Sequence, residues 1–87
     1  MNPQSKLEDL QAVAEKLSIA VEFSNLSNNE ISIKSGYCKL KNKDMIILDK
    51  TLSPEEQIEI ILQALKRFDL ENIYIPSWVR ERLEMQG

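Results

Sequence analysis

Tyr37-Cys38-Lys39-Leu40-Lys41-Asn42-Lys43-Asp44-Met45-Ile46-Ile47-Leu48-Asp49-Lys50-Thr51-Leu52-Ser53-Pro54-Glu55-Glu56 carries a strand, a turn, a second strand and a helix start in one run. Residues 37–41 alternate with the period of a strand, and Asn42-Lys43-Asp44 supplies turn formers. Met45-Ile46-Ile47-Leu48 is a solid apolar block, as expected of a central strand or one covered on both faces. Ser53 is placed to cap a helix, Pro54 is pre-set for its first position, and Glu55 and Glu56 follow in the first turn. Glu56 also completes a capping box with Ser53. Ile58, Ile61, Leu62, Leu65 and Phe68 then recur on one helical face, widened by Ile60 and Ala64. This predicts a helix over 54–67 that lies deep, across the sheet.

Toward the N-terminus, Ile31-Ser32-Ile33-Lys34 alternates, with Ser35-Gly36 as a turn before residue 37. Ser24-Asn25-Leu26-Ser27-Asn28-Asn29 is rich in turn formers, and Ile19-Ala20-Val21-Glu22-Phe23 alternates as a short strand. Strands joined by short loops pair antiparallel, so residues 19–49 read as a meander of three or four strands. Ser5 and Glu8 have capping-box spacing, and Leu7, Leu10, Val13, Ala14 and Leu17 share a face, which predicts a first helix over 6–17. Beyond residue 68 the periodicity breaks. Pro76 forces Ile75 to be extended and opens a third helix over 76–85, with Trp78, Val79, Leu83 and Met85 facing inward. The expected fold is one α+β domain: a small antiparallel β-meander packed by two to three helices, in the order α-β-β-β-β-α-α. The second helix covers one face, the other two flank it, and the lysine-bearing face of strand 37–41 looks to solvent.

Composition bounds the chemistry. The chain of 87 residues has no histidine and one cysteine, Cys38. Histidine is the usual general base near neutral pH and the commonest transition-metal ligand, so Ser-His-Asp and Cys-His sites and histidine-based zinc sites are excluded. Two glycines, Gly36 and Gly87, do not make a phosphate loop. Cys38 reads as a small buried hydrophobe. The pairs Glu8/Asp9 and Glu55/Glu56 sit at helix starts, where carboxylates favour the macrodipole, and neighbours on a helix diverge. No metal, no cofactor and no catalytic role are expected. A lone cysteine cannot form an internal disulfide, no apolar N-terminal segment is visible, and no apolar run approaches the ~20 residues of a membrane span, so the expected setting is the cytoplasm.

Net charge is −3. Four of the eleven basic residues, Lys34, Lys39, Lys41 and Lys43, fall in residues 34–43 with no acid among them, leaving seven basic against fourteen acidic residues elsewhere. Beside Tyr37 these lysines form a candidate surface for an anion or nucleic acid. The plainer reading is a solvated strand whose lysines discourage edge pairing. The acidic balance argues against nucleic acid or an anionic membrane as main partner.

The order helix, strands, helix resembles the double-stranded-RNA-binding domain. That family grips phosphates with lysines at the start of its last helix, where this chain has Glu55 and Glu56, which would repel a duplex. The same order resembles the minimal core of the zinc metallopeptidases known as zincins, whose helix after the meander carries H-E-x-x-H. The corresponding residues here are Gln57-Ile58-Glu59-Ile60-Ile61-Leu62-Gln63. Glu59 takes the place of the glutamate, and Ile58 and Leu62 stand where the metal ligands belong. Apolar side chains do not ligate zinc, so the resemblance implies a degenerate core that keeps the architecture without the metal.

Tyr74, Trp78, Arg80 and Arg82 gather residue types that dominate interface hot spots within residues 73–83. They are candidates for docking a protein partner or a second copy. The alternative is that Trp78 and Ile75 close the core from the C-terminal side while the arginines pair with Glu81 or Glu84. The expected function is a non-catalytic interaction module, possible as a homodimer through residues 73–83 or an open sheet edge.

Overall fold

A computed structural model describes residues 2–26 and 35–85. Its elements are α1 (Pro3–Lys16), β1 (Ala20–Ser24), β2 (Gly36–Leu40), β3 (Lys43–Asp49), α2 (Pro54–Leu65) and α3 (Ser77–Met85). The α+β class and the element order follow the sequence expectation, while the strand expected at 31–34 lies outside the described residues.

β3 is the central strand, in the order β1-β3-β2. β2 and β3 form the expected antiparallel hairpin, with Leu40 opposite Lys43 and Tyr37 opposite Ile46. Lys41 and Asn42 make the two-residue turn between them, both at positive φ (52° and 65°), the geometry that matches the twist of a hairpin. β1 departs from the meander. It runs parallel to β3, with Val21 opposite Ile46 and Phe23 opposite Leu48. Only the tight Lys41–Asn42 turn enforces antiparallel pairing. The connection from β1 to β2 is long enough to carry the chain past β3's position, about two strand spacings or ~10 Å, so β3 later fills the gap.

The helices lie on one face of this sheet. Leu7, Leu10, Val13 and Ala14 of α1, Ile58, Ile61, Leu62 and Leu65 of α2, and Ile46 and Leu48 of β3 form one buried cluster, closed by Ile75 and Val79. α1 and α2 pack on each other as well as on strands, and α3 packs on α2. The one buried polar side chain among the described residues, Gln57, donates from its amide nitrogen to the Asp49 carbonyl at 3.1 Å, tying the start of α2 to the end of β3.

Helix ends show why these segments fold where they do. Ser53 accepts from the Glu56 N–H, and Glu56 reaches back to the Ser53 N–H, so the expected capping box forms. α1 begins three residues earlier than its sequence reading. Asn2 is the cap, its side-chain oxygen accepting from the Ser5 N–H at 2.8 Å, with Pro3 behind it. Asn2-Pro3 repeats the chemistry of Ser53-Pro54, and Ser5 becomes an interior position. α1 ends in a Schellman motif: Ile19 N–H bonds to the Ala14 carbonyl and Ser18 N–H to that of Glu15, with Ser18 at φ 60°. α2 stops at Leu65, two residues short of its expected end. Pro76 stands just outside α3, its carbonyl accepting from Val79 and Arg80.

Candidate functional site

The pleat and the register decide what each face of the sheet presents. Residues directly opposite in register share a face, and successive residues alternate. Ile46 and Leu48 point into the helical layer, and Tyr37, opposite Ile46, points the same way. Its ring meets Phe68 edge-on at 5.8 Å, and the Arg67 guanidinium lies 4.8 Å from its centroid. Its hydroxyl donates a short hydrogen bond to Asp44. That bond holds the phenol above its ordinary pKa, with desolvation adding to the effect.

This corrects the expected orientation of β2. Tyr37 belongs to the helix side and is not a platform on a solvent face. Burial of its ring against α2 sets the register, and Cys38 and Leu40 are thereby turned to the opposite face. Cys38 is half-buried there and not part of the core.

That opposite face carries Ala20 and Glu22 from β1, Lys43, Met45, Ile47 and Asp49 from β3, and Cys38 and Leu40 from β2. Ala20, Cys38, Met45 and Ile47 are half-buried, and Leu40 is 57% exposed. None of the described helices lies over it. Its central strand reads cation, apolar, apolar, anion from Lys43 to Asp49. The Asp49 carboxylate accepts from the Thr51 N–H at 2.9 Å and from the Thr51 hydroxyl at 2.7 Å. These bonds hold it below the usual carboxylate range, the backbone N–H contributing most.

The lysines do not share one surface. Lys34 lies outside the described residues. Lys39 is on the Tyr37 side opposite Asp44, Lys41 is at the tip of the turn, and Lys43 is on the uncovered face. They gather at one end of the hairpin and diverge there, as charges that solvate and protect an edge strand do.

Residues 73–83 turn inward in part. The Trp78 indole N–H donates to the Asp9 carboxylate of α1 at 2.8 Å, and Lys6 sits 5.5 Å from its ring centroid. Trp78 is half-buried within one chain. Tyr74 is 71% exposed, with Lys16 5.1 Å from its ring centroid. Arg82 forms an ion pair with Glu59 of α2, not with Glu81 or Glu84. Arg80 is exposed and lines, with Asp69 and Glu71, a shallow groove between α3 and the segment that follows α2. Sequence reasoning missed the Asp9 and Glu59 partners because they are remote in the chain.

The zincin-like positions resolve plainly. Ile58 and Leu62 are core residues, and Glu59 is occupied by Arg82. Among the described residues no three His, Cys, Asp or Glu side chains gather as a metal site, and no helix is long and apolar enough to cross a membrane. A search of protein-family models, of curated proteins and of solved structures finds no match to this chain.

Proposed function

We propose that the chain is a non-catalytic binding module that docks a protein through the uncovered face of its sheet, the face over which no described helix lies. The supporting observation is the row Ala20, Met45, Cys38 with Ile47 and Leu40, laid on one side of the described strands while the described helices sit on the other. Apolar surface of this kind yields about 25 cal/mol for each Å² withdrawn from water, so a partner that covers it gains directly. The face spans about seven residues at ~3.4 Å by three strands at ~4.8 Å, roughly 300 Å² in projection. Residues 73–83 are the weaker candidate, because docking through Trp78 or Arg82 would compete with Asp9, Lys6 and Glu59.

The test is affinity capture with the full chain, comparing wild type with Ile47→Asp, which puts a charge at the centre of the face without touching the core. The reading expects a stoichiometric protein partner held by wild type and lost from Ile47→Asp while the melting temperature is kept. Capture of the same protein in equal amount by both chains overturns it. A second reading, anion or nucleic-acid binding through Lys39, Lys41 and Lys43, draws on their gathering at the hairpin end. It expects binding that weakens with salt and is lost in Lys39→Glu with Lys41→Glu.

A further inference from the structure

We infer that the occupant of the uncovered face is a second copy of the chain, stacked sheet on sheet about a two-fold axis that sets the two β3 strands antiparallel. This rests on the binding-face reading and names its partner.

The charge pattern carries the inference. On this face β3 presents Lys43, Met45, Ile47 and Asp49 in order, alternate residues about 6.8 Å apart. Turned end for end, the same strand offers Asp49 to Lys43, Ile47 to Met45, Met45 to Ile47 and Lys43 to Asp49. Each apolar side chain meets an apolar one, and each charge meets its opposite, twice over by symmetry. A two-fold contact must be self-complementary in this way. The other two-fold stacking runs the strands parallel and sets Lys43 on Lys43 and Asp49 on Asp49, with two like-charge contacts against it. On the flanking strands Cys38 comes over Gly36 of the second copy, where nothing lies within 4 Å of the position a side chain would occupy, while Glu22 comes over Ala20 at the edge of the face, a contact that favours neither stacking and adds to the weakness of the dimer. Stacked sheets sit ~10 Å apart, so Met45 and Ile47 from the two copies fill one shared layer.

Size sets the strength. A face of roughly 300 Å² in projection, charged ends included, is small beside the ~800 Å² of surface that each partner buries in standard stable complexes, so the dimer is weak and forms at high micromolar to millimolar concentration.

Sedimentation equilibrium on the full chain tests this from about 10 μM to about 2 mM, a range that brackets the expected dissociation constant. The wild-type mass should rise from 10.1 kDa toward twice that value. Lys43→Glu, at the exposed hairpin end, should raise the dissociation constant about tenfold or more, since it turns both cross-sheet pairs repulsive. Asp49→Lys should do the same. An equimolar mixture of the two variants should recover dimer, because in the mixed pair the changed side chains face each other and native Asp49 faces native Lys43. Asp49 also bonds Thr51, so Lys43→Glu carries the test alone if Asp49→Lys does not fold. Wild type that stays monomeric throughout overturns the second copy, while loss of partner capture by Ile47→Asp would still uphold the binding face. A dimer indifferent to Lys43→Glu overturns the antiparallel stacking.

Discussion

Trp78 is held by three different interactions at once. Its ring packs against the core, its indole N–H has a carboxylate acceptor in Asp9, and Lys6 approaches its π-face. Asp9→Ala removes the acceptor from a half-buried donor and should cost about 1 kcal/mol in urea denaturation. Tyr37 offers a cleaner electrostatic test. Its neutral form donates to Asp44, and its pKa is raised above the ordinary value near 10. The stability this contributes is therefore fully present below pH ~10 and is lost as pH rises through the folded-state value. Tyr37→Phe should be less stable than wild type at neutral pH, and the gap should narrow in alkaline solution. A gap that stays constant to pH ~11 would show that Asp44 does not favour the protonated phenol. Asp49 has the opposite sign: its lowered pKa adds stability above pH ~4 that fades as pH falls through the folded-state value.

The elements differ in how openly the sequence announces them. The start of α2 was legible because Ser53, Pro54 and Glu56 lie within four residues and each satisfies a local requirement. The start of α1 has the same logic in Asn2-Pro3, but Ser5 and Glu8 offer a competing box, and local spacing alone does not rank the two. Ser53→Ala should lower stability by about 1 kcal/mol. At the other end of α1, Ser18 occupies a left-handed position that glycine takes more readily. Ser18→Gly should stabilise the chain by about 0.5–1 kcal/mol, the left-handed cost of ~1–2 kcal/mol less the ~0.4–1 kcal/mol of extra unfolded-chain entropy, read as a higher melting temperature. A destabilised Ser18→Gly would mean that the hydroxyl, not the backbone motif, secures the end of the helix.

At the scale of the molecule, the described residues form two layers, with helices on one side of a three-stranded sheet. Alternation in the sequence identified the strands, and the apolar block of β3 marked it as central. Alternation does not say which face meets the helices. In β2 that choice turned on Tyr37, a side chain able to bury its ring and still place its hydroxyl on Asp44. The parallel pairing of β1 was equally hidden, since strand partners across a long connection leave no local trace. The candidate surface was missed for the same reason: Cys38, Met45 and Ile47 read as core until the register put them opposite the helices. Cys38 thereby becomes a native reporter of the face. The rate at which its thiol reacts with excess iodoacetamide should fall as protein concentration rises in wild type and stay constant in Ile47→Asp. A wild-type rate that is independent of concentration from about 10 μM to about 2 mM would contradict the claim that this face is where a second copy of the chain binds.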